Sequence, residues 1–214
     1  MSEGDNDYRR FREATPEFFM HVERAFGFLE NKYHFRIHSQ VADALEYVQD
    51  ANACMSYVGV RVEARIWWDY ASAQMGVSFN ELKYPRLSAA NDSVFWGDAT
   101  NRPHAIDLWQ LADYLGHGDD PDFLLGHKEP KSYANFKEFM AIHNERAAII
   151  YDNMAGVLDG LARLTERYAR KILRGGDRDL FLAVWNRYAE RMRALNAPAV
   201  DRRNESSGES AQNE

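Results

Sequence analysis

The fold is decided by residues 60–79, which read VRVEARIWWDYASAQMGVSF. Apolar side chains occupy alternate positions as far as Trp68, which predicts a β-strand with one buried and one solvated face. A turn around residues 70–72 leads into a second alternating run, so the segment predicts an antiparallel hairpin. The predicted buried face comprises Val60, Val62, Ala64, Ile66, Trp68, Met75, Val77 and Phe79. The predicted solvated face of the first strand comprises Arg61, Glu63, Arg65 and Asp69.

The same two-residue period extends toward the N-terminus. Phe35 and Ile37 alternate with polar residues, which indicates one short strand. A second short strand is indicated by Leu45 and Tyr47, and a third by residues 55–57. Because no helical pattern separates these strands, parallel βαβ crossovers are excluded and the sheet is predicted to be an antiparallel meander. The predicted fold class is therefore α+β, with an N-terminal helix on an antiparallel β-meander, followed by a helical C-terminal half.

The opening helix is predicted to begin at residues 15–17. Thr15 supplies a capping hydroxyl, Pro16 a proline at the first helical position, and Glu17 an acid at the positive end of the helix dipole. Residues 1–14 are polar and are predicted to form a flexible N-terminus. The α+β domain with the antiparallel sheet is accordingly predicted to span residues 15–125.

The middle of the chain is harder to assign. Residues 83–104 fit neither period, so they predict either a working loop or a strand around Val94, Phe95 and Trp96, and the strand is the favoured alternative. A short helix over 106–115 follows, with Ile106 in its apolar stripe and Gly116 as its left-handed cap.

The C-terminal half, residues 126–195, is predicted to be a helical region packed on the sheet domain. Apolar residues from 136 to 168 recur at alternating steps of four and three, close to a heptad seam, which raises a homodimer through the 136–168 helix as a hypothesis. An unbroken helix over 132–173 would be about 63 Å long, so a break is predicted at Gly156 and Gly160. Gly175 and Asp177 predict a helix–turn–helix junction, and residues 196–214 a disordered tail.

Charge is unevenly distributed along the chain. The 214 residues carry 26 Lys+Arg and 33 Asp+Glu, a formal net charge of −7, which divides into −10 over residues 1–160, +6 over 161–203 and −3 over 204–214. The basic segment uses ten Arg and one Lys, and Arg is suited to fixed bidentate pairing with carboxylates. Two alternatives stay open: the basic helices pack against the acidic body, or they present a basic face to an acidic partner.

Composition bounds the class of protein. A hydrophobic content of 45% with 13% aromatic residues predicts a packed core. Cys54 is the single cysteine and is predicted to be a buried, inert thiol, which fits a reducing compartment. Since the N-terminus lacks the pattern of a signal peptide and no run of 18 apolar residues occurs, the predicted location is cytoplasmic, with no membrane contact.

Common catalytic signatures are absent from the sequence. None of GxGxxG, GxxxxGK[ST], GxSxG, HExxH, paired CxxC or an EF-hand loop occurs. The sequence therefore predicts no catalytic residue and no cofactor, and a non-enzyme is favoured. Nucleic-acid binding is disfavoured because a protein with a pI of about 5.5 repels a polyanion at long range.

One segment combines carboxylates with imidazoles, at His117, Asp119, Asp120 and His127. Asp and His side chains are suitable ligands for a divalent transition metal. The surrounding Gly, Asp and Pro residues are also typical of a solvated turn between helices. The turn is the favoured interpretation, and no metal site is predicted.

Three short motifs carry a resemblance. Residues 26–33 read FGFLENKY at the end of the opening helix, residues 55–57 read MSY in a strand, and residues 173–177 read LRGGD after a late helix. This order resembles that of a group of small uncharacterised bacterial α+β proteins, some of which resemble toxin-immunity proteins, although the second glycine of LRGGD departs from their L-R-G-D pattern. The resemblance implies the fold and a non-catalytic, neutralising role, and it assigns no active site.

These observations lead to the hypothesis of a cytosolic protein-binding module of the immunity type, whose acidic body would bind a basic protein partner. The alternative hypothesis is an enzyme of unrecognised class that uses the 83–104 segment and the region of Asp119, Asp120 and His127. The candidate binding residues are Arg61, Glu63, Arg65, Asp69, Trp96, Arg167, Arg174 and Asp177.

Overall fold

The chain forms one antiparallel sheet of five strands, with helices before and after it, which confirms the predicted α+β class. The computed structural model describes residues 3–43, 52–70, 72–82, 105–120, 123, 136–175 and 177–196. The strands are β1 (Arg36–Asp43), β2 (Asn52–Val58), β3 (Val62–Asp69), β4 (Gln74–Glu81) and β5 (Ala105–Asp107). The helices are α1 (Glu3–Phe26), α2 (Phe28–Tyr33), α3 (Leu108–Tyr114), α4 (Phe136–Tyr168), α5 (Arg170–Leu173) and α6 (Arg178–Asn196).

The sheet is a meander, as predicted, in the order β1-β2-β3-β4-β5 with every neighbouring pair antiparallel. Met55, Ile66 and Val77 form one row across the inner face and are almost completely buried. Trp68 contacts α1 through the ring of Phe11, at 4.6 Å between centroids, and α4 through the ring of Tyr151, at 5.6 Å. Helices α1 and α4 therefore cover this face, and the side chains of the sheet and of both chain halves share one core.

Two positions in the fold-deciding stretch differ from the prediction. Val60 is 78% exposed rather than buried, because β3 begins only at Val62 and Val60 lies in the turn closed by the Gly59 N–H donating to the Val62 carbonyl. Glu63 was expected on the solvated face but is 3% exposed. Its carboxylate lies 3.0 Å from Nε of Arg65 and accepts a hydrogen bond from Asn80, so neighbouring polar groups replace water around it.

Helix α1 begins at Glu3, so the predicted helix start at residues 15–17 is wrong. The prediction of a flexible N-terminus is also wrong for residues 3–14, which are helical. Pro16 lies inside the helix and deprives it of one backbone hydrogen bond, at a cost of roughly 3 kcal/mol. The preceding turns nevertheless pack on the core: Phe11 is 1% exposed, and the guanidinium of Arg10 lies 4.0 Å from the ring centroid of Tyr151. This tertiary packing outweighs the local helix-start signal.

The region around 106 also differs from the prediction. Ile106 lies in β5, opposite Phe79, and not in a helix. Helix α3 begins at Leu108 and is followed by Gly116, whose left-handed φ of +85° confirms the predicted cap. The proposed strand at Leu45 and Tyr47 and the loop-or-strand segment 83–104 lie outside the described residues.

Helix α4 is broken, as its length predicts, but three residues before the expected glycine. Asn153 has non-helical angles (φ −148°, ψ 45°), and its side-chain oxygen accepts a hydrogen bond of 3.1 Å from the Gly156 N–H. Asn153 therefore caps the second half of the helix. The seam residues Ile150, Met154 and Leu161 are buried within the chain, so this part of the seam is not exposed for self-association.

The junction between α5 and α6 matches its prediction. Gly175 adopts a left-handed φ of +93°, and the Asp177 carboxylate caps α6 by accepting a 3.0 Å hydrogen bond from the Leu180 N–H. Helix α6 extends to Asn196, and residues 197–214 of the predicted tail lie outside the described residues.

Candidate functional site

An apolar pocket of about 50 Å³ lies where the β2–β3 turn and the end of β4 meet the α5–α6 junction. Its floor is formed by Val62, Ile172 and Phe181, which are all buried side chains. Its rim is formed by Arg61, Glu81, Gly175, Asp177 and Arg178. We call this feature the hairpin-end pocket, and it combines an apolar floor with a charged rim.

Local backbone geometry places the two walls of the hairpin-end pocket. On the sheet side, the Leu82 N–H donates a 2.8 Å hydrogen bond to the Arg61 carbonyl, which holds the turn against the end of β4. On the helix side, left-handed Gly175 reverses the chain between α5 and α6. An ion pair of 3.1 Å between Arg178 Nε and Glu81 Oε1 joins the two walls.

Charges on the rim are unequally engaged. Glu81 is paired with Arg178, and Asp177 both caps α6 and lies 3.9 Å from Lys171 Nζ. Arg61 is exposed, and its guanidinium makes no ion pair with any residue that the structure describes. Arg174, which directly precedes Gly175 in the chain, is exposed but is not one of the residues that line the pocket. The rim therefore carries one cation, Arg61, that no carboxylate of the described residues neutralises.

The structure thus brings together two of the predicted binding residues, Arg61 and Asp177, although they are far apart in sequence. Four residues that complete the hairpin-end pocket escaped the sequence analysis. Ile172 and Phe181 read as ordinary core positions, and Glu81 and Arg178 as ordinary surface charges. Their association depends on tertiary contact between a hairpin and a helix junction, which no local pattern encodes. The missed residues are Glu81, Ile172, Arg178 and Phe181.

Other predicted binding residues lie elsewhere. Glu63 and Arg65 pair with each other on the outer face of the sheet, away from the core. Asp69 is at the opposite end of β3, where its carboxylate accepts a 2.6 Å hydrogen bond from the Ser72 hydroxyl. Trp96 lies outside the described residues.

Arg167 and the metal-ligand candidates form a structural contact instead of an open site. One carboxylate oxygen of Asp120 accepts hydrogen bonds from Arg167 Nη1 and from the Tyr168 hydroxyl, both at 2.6 Å. His117 stacks on the Tyr168 ring at 5.1 Å between centroids. Within the described part of the chain no group of His, Cys, Asp and Glu side chains is arranged to hold a metal ion, and His127 lies outside it.

The uneven charge is partly neutralised within the fold. Three arginines of the basic C-terminal segment pair with carboxylates of the acidic body: Arg167 with Asp120, Arg178 with Glu81, and Arg187 with Asp113. These contacts support the alternative in which the basic helices pack against the acidic body. Arg174 makes no ion pair with a carboxylate of the residues that the structure describes.

Two carboxyl groups on the outer face of the sheet have shifted pKa values. Burial raises the pKa of Glu63. Hydrogen bonds from Arg65, Asn80 and Ser56, together with the charge of Arg65, lower this pKa by more than burial raises it, so the net pKa lies below its usual range. Burial raises the pKa of Asp107 from 3.8 to about 6. Asp107 also begins α3, where its backbone N–H donates a 3.0 Å hydrogen bond to the Gln110 side chain.

Comparisons with protein-family models, with curated proteins and with solved structures found no match to this chain. The resemblance to immunity proteins therefore stays a prediction. Among the helices that the structure describes, none has the length and apolar character needed to cross a bilayer.

Proposed function

We propose that this chain is a cytosolic, non-catalytic protein-binding module, and that the hairpin-end pocket receives an apolar side chain of its protein partner. The observation that carries the proposal is the pocket itself, which combines a floor of Val62, Ile172 and Phe181 with a rim of charged groups. Protein interfaces concentrate binding energy where an anchoring side chain fills such a pocket and a polar rim excludes water.

The β2–β3 turn supports this assignment. Val60 is 78% exposed and directly precedes Arg61, which lies on the pocket rim. A single exposed valine is ordinary, but one that is the chain neighbour of a pocket-lining residue adds apolar surface on the turn beside the pocket. The surface therefore has a centre, the pocket, and an adjacent apolar contact on the turn.

A role of the immunity type, neutralising a partner protein by binding, fits this surface and the lack of catalytic signatures. A cytosolic location fits Cys54, which is the single cysteine of the chain and is buried. The enzyme alternative has less support, because the Asp120 carboxylate is engaged by Arg167 and Tyr168. Segment 83–104 and His127, on which that alternative also depends, lie outside the described residues.

A matched pair of variants tests the proposal. Val60→Ser removes the exposed apolar contact beside the hairpin-end pocket, and Met20→Ser removes a 58% exposed methionine on α1 as the control. Tagged wild-type protein is expected to capture one stoichiometric protein from a lysate of the source organism. The Met20→Ser variant should capture it equally well and the Val60→Ser variant several-fold less. A partner retained equally by all three proteins, or no partner at all, would contradict the proposal.

A further inference from the structure

We infer that the free edge of β1 pairs with β1 of a second copy of this chain, as antiparallel strands related by a two-fold axis at Gln40. The sheets of the two copies then form one continuous sheet. This inference goes beyond the proposed function, because none of the described residues that line the hairpin-end pocket belongs to β1. It also differs from the sequence-based hypothesis of a homodimer through the 136–168 helix.

One side of β1 is unpaired in the described part of the chain. β1 pairs with β2 and stands at the end of the strand order, so no described strand lies on its other side. Ile37 is 39% exposed, and His38, Gln40 and Ala42 are also exposed. A strand at the edge of a sheet presents N–H and C=O groups that can pair with another strand. β1 has eight residues, so this edge offers about 27 Å of backbone.

The sequence of β1 is complementary to itself in the antiparallel direction. The strand begins with Arg36 and ends with Asp43. When β1 overlaps its copy along the whole strand, Arg36 of each chain stands opposite Asp43 of the other, and Gln40 stands opposite itself on the axis. Unlike charges directly opposite each other favour strand pairing. A two-fold contact uses the same patch on both subunits, so it forms each favourable pair twice.

A β-bulge in β1 makes this register consistent with the two faces of the sheet. Ile37 and Ser39 lie opposite consecutive residues of β2, so His38 is the extra residue of the bulge. The extra residue shifts the pairing by one position, which places Ile37 opposite Ala42 of the second copy. Both residues lie opposite core residues of β2, on the inner face of the sheet. Inner-face residues therefore meet inner-face residues, which a continuous sheet requires.

A second copy matches this edge better than an unrelated strand does. Bulges in edge strands protect a sheet from pairing with arbitrary strands. Residues 39–43 of β1 are regularly paired with β2, and the two-fold axis places this regular half opposite the bulge of the other copy. The exposed Ile37 side chain then packs beside the small Ala42 side chain and leaves water.

Disulfide trapping tests both the pairing and its register. Gln40→Cys places a thiol on the two-fold axis, where the two Cα atoms lie about 4.5–5.5 Å apart, within the range that a disulfide bridges. His38→Cys is the matched control, because the two copies of residue 38 lie more than about 10 Å apart in this register. Both variants carry Cys54→Ala, which removes the single native cysteine. Mild oxidation should yield a covalent dimer from Gln40→Cys and none from His38→Cys.

Light scattering tests the association without a crosslink. The wild-type protein should have the mass of a dimer at high micromolar concentration. Ile37→Lys places a charge on the edge and should weaken dimerisation at least about tenfold. Leu115→Lys is the matched control, because Leu115 is 40% exposed and follows α3, beyond the opposite edge strand β5. This variant should dimerise like the wild type.

Three results would overturn the inference. The first is a monomeric wild-type protein. The second is a dimer that Ile37→Lys leaves intact, since such a dimer uses another surface. The third is the absence of a covalent dimer from Gln40→Cys, or an equal yield of it from His38→Cys, since β1 is then not paired in the inferred register.

Discussion

Replacing Asp107 by Asn should stabilise the protein at neutral pH. Burial raises the pKa of this carboxyl from 3.8 to about 6, so its charged form is costly in the folded state. This rise of the pKa corresponds to a loss of about 3 kcal/mol in the free energy of unfolding at neutral pH. Because Asp107 is partly exposed, solvent screening reduces this loss of stability to about 2 kcal/mol. Asn begins a helix as well as Asp does, although it loses the interaction of a negative charge with the helix dipole.

The effect should depend on pH with a defined sign. Well below pH 3.8, the pKa of the unfolded carboxyl, the group is protonated in both states and the burial of charge costs nothing. As pH rises from 4 to 6 the folded state holds the proton more tightly than the unfolded state, so the wild-type protein loses stability over that range. Asp107→Asn should therefore gain about 1–2 kcal/mol at pH 7.5 and almost nothing at pH 4.

Urea denaturation at pH 4 and pH 7.5 measures both values, and the slope of the transition checks that the unfolded state is unchanged. Asp179→Asn, an exposed aspartate in the first turn of α6, is the matched control and should be no more stable than the wild type at either pH. If Asp107→Asn loses more than about 1 kcal/mol at pH 7.5, the carboxylate is a net stabilising cap and the reasoning from burial is wrong.

Four further predictions concern stability. Glu63→Gln should cost about 2 kcal/mol at pH 7, and this loss should shrink below pH 4, because a carboxyl with a lowered pKa contributes its stability above its unfolded pKa; urea titrations at both pH values measure it. Asn153→Ala should cost about 1 kcal/mol by removing the cap of the second half of α4. Gly156→Ala should be almost neutral in the wild-type protein, because the added Cβ would lie 2.5 Å from the Asn153 amide and would displace that cap. In the Asn153→Ala background the same change should stabilise the protein by about 1 kcal/mol, and additive effects of the two substitutions would contradict the cap. Gly175→Ala should cost about 1–2 kcal/mol from its left-handed φ alone, since no atom of the described residues, chain neighbours aside, lies within 4 Å of the added Cβ. A neutral thermal melt would refute this.

The β3–β4 hairpin could be predicted from sequence because its apolar positions recur with a period of two. Val62, Ala64 and Ile66 are separated by Glu63 and Arg65, Val77 lies between Gly76 and Ser78, and the burial of the apolar residues follows from the pleat. The α5–α6 junction could be predicted because Gly175 and Asp177 act through local backbone geometry. Both features depend on residues that are close together in the chain.

The errors have the opposite origin. Helix α1 extends through Pro16 because Phe11 packs on Trp68, a contact between distant residues. Ile106 joins the sheet because it pairs with Phe79 in a strand too short to show alternation. Glu63 is buried because Arg65 and Asn80 replace its hydration. In each case tertiary contact outweighed the local pattern.

The candidate site was only partly predictable for the same reason. Arg61 and Asp177 could be singled out as charges, but the sequence does not show that the β2–β3 turn meets the α5–α6 junction. The apolar floor of the hairpin-end pocket therefore appears only in the folded chain.

Site-specific photo-crosslinking tests the central claim, that the hairpin-end pocket is the partner-binding surface, most directly. A photoreactive amino acid is placed at Val60, on the turn beside the pocket, or at Met20, an exposed position on α1. Irradiation in cells of the source organism should produce one crosslinked protein from position 60 and none from position 20. Crosslinking of the same protein from position 20 only, or of no protein from position 60, would contradict the claim.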